Sequence, residues 1–121
     1  VLIGLSVIEL KLPFPPSANA YWRYVQGRVL VSARAKAYKR AIGYLCLTQN
    51  IQALDGKLQA CVRFYPPDRR RRDGHNLSKV LFDALEGYLY QNDSQLIDVR
   101  LILMDDIVTN GLCCLKISPI A

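Results

Sequence analysis

Histidine occurs once in this sequence, and the four cysteines show no C-x-x-C spacing. A structural zinc site, which draws on clustered Cys and His, is therefore not expected. Long uncharged apolar runs are also missing. The least charged stretch, "VLIGLSVIEL", is too short to cross a bilayer and has no basic residues ahead of it. It is expected to be neither a secretory signal nor a membrane span. Repeats, linkers and low-complexity tracts are absent, so residues 1–121 are expected to form one domain. That length, with 51% hydrophobic residues, suffices for a packed core without disulfide or metal staples. Cys46, Cys61, Cys113 and Cys114 are read as reduced thiols, which suits a cytoplasmic protein.

What the chain does have is positive charge, unevenly spread. The formal net charge is +6, and six of the sixteen basic residues fall between Arg63 and Lys79. Arg69, Arg70, Arg71 and Arg72 are consecutive, inside "DRRRRDGHNLSK". A second group, Arg34, Lys36, Lys39 and Arg40, lies on an expected helix. Net charge alone says little about partners, but clustering of this kind suits a phosphate backbone. Solvated loops and helix faces also carry such charge, so the clustering names a class of partner and no more.

The order of elements follows from local pattern. "SVIELKL" alternates as a strand, and Pro13, Pro15 and Pro16 then forbid both helix and ladder. "RYVQGRVLVS" reads as a hairpin turning at Gln26-Gly27. Ser32 is the expected N-cap of a helix running to Leu54. "GKLQACVRFYPP" gives a strand ended by its prolines. Leu77, Val80, Leu81, Ala84, Leu85 and Tyr88 recur at helical spacing, so "NLSKVLFDALEGYLY" is an amphipathic helix with Lys79 and Asp83 outside its apolar stripe. "QNDSQ" is a turn. "IDVRLILMDD" and "GLCCLKISP" are closing strands, expected to join at Asn110-Gly111 as a hairpin. The fold class is α+β, with one mixed sheet and two main helices. The apolar segments Val1 to Ile8 and Leu112 to Ile120 are where a dimer interface is expected.

Asp73 precedes the second helix and Asp93 follows it. Clustered carboxylates that hold a divalent cation, beside arginines that grip phosphate, are what phosphodiester hydrolysis needs. Lys79 could add a point charge. Each residue also has an ordinary reading. Asp73 suits a helix N-terminus, Asp93 suits an Asx-turn, and spacing alone does not bring them together across a helix of about 20 Å.

The stretches "RRRRDGHNLSKVLFDALEG" with "NDSQL", "LPFPPSANAYWR" and "GRVLVSARAKAYK" resemble the RusA family of Holliday-junction resolvases, over Leu12 to about Val99. Two separate boxes match in the family's order. The resemblance implies a small homodimeric endonuclease, of phage or prophage origin, that nicks four-way junction DNA symmetrically with Mg²⁺ or Mn²⁺. Carried over residue by residue, the first and third metal-binding acids align with Asp73 and Asp93. The basic residues needed for cleavage align with Arg72 and Lys79, and Asn76 takes the motif's asparagine. In the family's dimer two such sites share one face. Asn19, Tyr21 and Arg23 are expected to contact an opened junction, by stacking or hydrogen bonding, although the aromatics equally suit packing on the sheet.

The second acidic position is His75, a departure from the family pattern. Three readings stand open for it: a metal ligand that favours Mn²⁺ over Mg²⁺, a group that moves a proton to or from water, or the mark of a site that binds junctions without cutting them. Asn92, where a second aspartate often precedes the third acid, makes the site less negative still. Beside the junction nuclease, the alternatives are therefore a catalytically silent junction-binding dimer and an unrelated RNA-binding module.

Overall fold

A computed structural model describes residues 7–17 and 22–120; for 22–25 and 28–31 it describes the backbone alone. The elements in chain order are β1 (Ile8–Leu12), β2 (Trp22–Val25), β3 (Arg28–Val31), α1 (Ala33–Thr48), β4 (Leu58–Tyr65), α2 (Gly74–Leu85), β5 (Leu96–Leu103) and β6 (Leu112–Pro119). β2 and β3 pair as a separate two-stranded hairpin. The remaining strands form a mixed sheet in the order β1-β6-β4-β5. The α+β class with two main helices is thus the observed one, the hairpin standing apart from the sheet.

β4 shows how sequence alternation becomes a layer. Leu58, Ala60, Val62 and Phe64 are buried, and Gln59, Cys61, Arg63 and Tyr65 turn to the open face. Register then builds rows across the sheet. Leu12 stands opposite Cys113, Cys113 opposite Phe64, and Phe64 opposite Leu103. α1 contributes Ala35, Tyr38, Ile42 and Cys46 to the core, and α2 contributes Leu77, Val80, Leu81, Ala84 and Leu85. Strand alternation also separates the adjacent cysteines. Cys113 is buried and Cys114 is half-buried on the other face.

The turns follow residue chemistry. Gln26 and Gly27 have φ of 50° and 76°, the paired left-handed conformation of a tight hairpin. The Ser32 side chain accepts a hydrogen bond from the backbone N–H of Ala35 at 3.2 Å and so caps α1.

Three expectations are corrected. α1 stops at Thr48 rather than running to Leu54, because Asn50 turns left-handed at φ 52°. α2 begins two residues early, at Gly74, and ends at Leu85, where Gly87 at φ 90° turns the chain. β5 and β6 are not a hairpin. β5 runs parallel to β4, reached through α2 as a β-α-β unit, and β6 inserts antiparallel between β1 and β4. Asn110 and Gly111, φ 66° and 73°, redirect the chain across the sheet rather than to a neighbouring strand. Both edges of β6 are therefore occupied, so Leu112 to Ile120 offers no strand edge to a second copy. Among the described residues, β1 and β5 are the edge strands of the sheet. No helix among the described residues is long and apolar enough to cross a membrane.

Candidate active site

The end of the sheet where β4 stops holds a cleft of about 1160 Å³. One wall is Arg70, Arg71, Arg72 and Asp73; the other brings Arg34 and Tyr38 from α1, with Pro15, Pro16 and Ser17 of the proline segment. The prolines keep that segment extended, and the Tyr38 hydroxyl donates to the Pro13 carbonyl oxygen at 2.8 Å, tying it to α1. Burial pushes the Tyr38 phenol far above its ordinary range, so it stays a donor.

Phe14 is the hinge point of these walls. Its ring meets Phe64 edge-on with centroids 6.1 Å apart, and the Arg72 guanidinium sits 5.4 Å from its own centroid. Each such contact is worth roughly 0.5–1 kcal/mol. Arg72 is further held by the Asp68 carboxylate at 2.8 Å. Hydrogen bonds from Arg72 and then from Arg70 keep the Asp68 carboxyl below the usual carboxylate range.

Asp73 is the N-cap of α2, its Oδ1 accepting from the backbone N–H of His75 at 2.8 Å. The cap uses one oxygen, and Oδ2 makes no hydrogen bond among the described residues. The side chain is exposed and lines the cleft beside the arginines. His75 and Lys79, one turn apart, share an exposed face of α2 outside the cleft, and Lys79 forms no ion pair among the described residues. Asn76 lines the cleft on the side facing α1. That same side carries Asp83, seven residues on, whose carboxylate pairs with Lys39 at 2.6 Å. The motif therefore divides between two faces of one helix. Arg69 is exposed and does not line the cleft.

Asp93 lies elsewhere. It opens a 3₁₀ turn, Asp93–Gln95, directly before β5. The Asx-type cap there is made by Asn92, whose Oδ1 accepts from Ser94 N–H at 2.8 Å, and not by Asp93. Gln95 anchors the turn by donating to the carbonyl oxygens of Leu54 and Gly56 at 3.0 and 2.9 Å. The Asp93 backbone carbonyl accepts from the Leu96 N–H, while its carboxylate is exposed and makes no hydrogen bond among the described residues. Gly74, at the start of α2, instead lies beside Leu103, the last residue of β5. The length of β5 separates the two carboxylates by roughly 20 Å within one chain. No group of three or more His, Cys, Asp or Glu able to hold a metal forms among the described residues.

Asn19 and Tyr21 lie outside the described residues. Arg23 stands on β2, its backbone opposite Leu30. Sequence reasoning missed Phe14 and Asp68. Asp68 was legible as an Asp two and four residues before arginines, the spacing of a loop closed on itself. Phe14, flanked by prolines, carried no signal beyond its hydrophobicity.

Known proteins share this sequence over most of its length. The sequence profile of the family described as Endodeoxyribonuclease RusA matches residues 13–109. The crossover junction endodeoxyribonuclease RusA of Escherichia coli strain K12 is 35% identical over 109 residues, covering 88% of this chain and 89% of the relative. The proteins of that name from Enterobacteria phage 82 and Shigella sonnei strain Ss046 are each 34% identical with the same coverage.

Proposed function

This chain belongs to the RusA family of endodeoxyribonucleases, and from that membership we propose that it resolves four-way DNA junctions by metal-dependent hydrolysis of a phosphodiester in two strands. The observation that supports this best is the arginine wall that ends on Asp73, an exposed carboxylate lining a wide basic cleft. A strand drawn in by Arg70, Arg71 and Arg34 brings its phosphate to that carboxylate.

The donor set suits a hard divalent cation. Mg²⁺ is commonly held by one or two carboxylates together with oxygens of the substrate phosphate, and Asp73 offers the carboxylate. Asp73, His75 and Asp93 are the residues that would hold the metal, and a bound cation supplies charge neutralisation and activation of water. The chain's own groups do the rest. The arginines orient the phosphate bidentately, Lys79 stabilises charge developing on it, and Asn76 can hydrogen-bond the strand.

With Asp73 and Asp93 at opposite ends of β5, the set closes only when a second copy is present. β5 is an edge strand whose Ile97, Val99 and Leu103 are 58%, 38% and 44% exposed, an edge that invites pairing. If β5 of two copies pairs antiparallel across a two-fold axis, the start of one strand meets the end of the other. Asp93 of the second copy then arrives beside Leu103 and Gly74, next to Asp73 and His75. The same axis yields two equivalent sites, as paired nicks in a symmetric junction require. The reading makes this a cytoplasmic protein of bacteria or phage, and the phage 82 relative fits a prophage origin.

His75 favours a second reading, a junction-binding dimer of weak activity. One experiment separates the two. A labelled synthetic four-way junction and a linear duplex are incubated with wild type and with His75→Asp, in Mg²⁺ and in Mn²⁺. Paired symmetric nicks by wild type in the junction alone support the resolvase. Tight binding without nicking, restored to cleavage by His75→Asp, supports the binding dimer. Equal cutting of linear duplex sinks the junction selectivity.

A further inference from the structure

Asp68 lies outside the motif positions, yet the arginine loop is built on it. Its Oδ1 accepts from the backbone N–H of Arg70 at 2.9 Å and from Nη1 of Arg72 at 2.8 Å. Nη1 also reaches the carbonyl oxygens of Asp68 and Arg70, each at 3.2 Å. The ring of Phe14 supports the guanidinium from its face. The Arg72 side chain is 18% exposed, whereas that of Arg70 in the same loop is 85% exposed. One arginine of the four is fixed before any ligand arrives.

A guanidinium has five N–H donors in a rigid fork. Every hydrogen bond that Arg72 donates within the described residues leaves from Nη1. Nε and Nη2 remain, and these two nitrogens form one edge of the fork, the edge that takes two phosphate oxygens side by side. Arg72 lines the cleft and adjoins Asp73 in the chain.

We infer that Asp68 is a positioning residue for phosphodiester cleavage. It holds Arg72 through Nη1 so that the Nε/Nη2 edge meets the phosphate beside Asp73 already ordered. The inference rests on the nuclease reading above. Ordering the guanidinium in advance matters most where geometry is strictest, in the transition state, and less for initial capture of the strand. Exposed arginines such as Arg71 serve that capture. Were Asp68 only a competitor for Arg72, its removal would tighten binding and speed the cut.

The test is single-turnover nicking of a synthetic four-way junction at saturating enzyme, with junction affinity measured separately without divalent metal. Wild type, Asp68→Ala, Asp68→Asn, Arg72→Ala and the Asp68→Ala/Arg72→Ala double variant are compared, each checked by thermal melting. Asp68→Ala is expected to slow nicking by about tenfold or more while the junction Kd stays within about threefold. Asp68→Asn, which keeps an acceptor without the charge, falls between Asp68→Ala and wild type. In the Arg72→Ala background, Asp68→Ala is expected to cost nothing further. Should Asp68→Ala fail to fold, Asp68→Asn supplies the same cycle. An unchanged or faster rate in Asp68→Ala, losses that multiply in the double variant, or equal losses of rate and affinity overturn the inference. A junction that wild type binds but never nicks overturns the nuclease reading, and the role of Asp68 with it.

Discussion

The backbone of Gly111 lies so close to Phe14 that a Cβ built on Gly111 would stand 2.6 Å from the Phe14 Cβ. Gly111 also has φ 73°, a conformation side chains resist. Gly111→Ala is expected to lower the unfolding free energy by about 2 kcal/mol or more, of which about 1–2 is the left-handed backbone. Gly27→Ala is the control. Its φ is 76° but its Cβ would meet nothing within 4 Å, so it loses the backbone part alone. Denaturant titration of both variants measures the difference. Equal losses would mean that Phe14 yields freely.

Asp73→Asn separates the two roles of this residue. Asn caps a helix as well as Asp does, so the unfolding free energy is expected to stay within about 0.5 kcal/mol of wild type. Junction cleavage is expected to disappear, while junction affinity holds or rises because a negative charge leaves the phosphate path. Parallel thermal melts, gel-shift titrations and nicking assays check all three. A variant that folds and still cuts at the wild-type rate removes Asp73 from the chemistry.

Mixed dimers test where Asp93 acts. Asp73→Asn and Asp93→Asn chains are each expected to be inactive alone. If the site is shared between two copies, mixing them leaves one intact pair per mixed dimer, so single nicks reappear. If each chain uses its own Asp73 and Asp93, mixing restores nothing. Electrophoretic separation of singly nicked from resolved junctions reads the outcome directly.

Alkaline pH should weaken the fold through Cys113. Burial, and next the neighbouring Cys114, push its thiol up to about 12, above the ordinary value. A pKa raised by folding means that the unfolded chain loses its proton first. The stabilisation is full below the unfolded pKa near 8.5–9 and is lost as pH climbs toward 12. About 1 kcal/mol should be gone one unit above the unfolded pKa. Denaturant midpoints at pH 8 and pH 10 measure this, and Cys113→Val should shrink that step, leaving the part owed to Cys46, whose thiol is also pushed up by burial. Buried Tyr38 and Tyr90, both raised by desolvation, act only at higher pH.

Much of the local structure could be read in advance because its causes are local. Ser32 caps α1 and Gln26-Gly27 turns the hairpin through atoms a few residues apart. The misreadings arose where a distant partner decides. Ile51 and Leu54 continue a helical period past Thr48, yet Leu54 leaves the helix and hydrogen-bonds through its N–H to the Leu89 carbonyl oxygen at 2.8 Å. Asn110-Gly111 has hairpin chemistry, yet β6 gains two neighbours by passing β5 and lying between β1 and β4. In the site, Asp73, His75, Asn76 and Lys79 were legible as one motif, but not their division between two faces of α2.

The sequence by itself determined the family, the α+β class, the Gln26-Gly27 turn, the Ser32 cap, and the basic loop that ends on Asp73. These follow from contiguous residues and from apolar periods of two and 3.6. The tertiary structure alone decided that Asp93 stands a strand's length from Asp73, that Arg72 is fixed by Asp68 and Phe14, and that β5 is an edge strand among the described residues. Strand order and cross-chain packing are settled by which apolar faces bury each other over long separations, a balance that no local stretch of residues encodes.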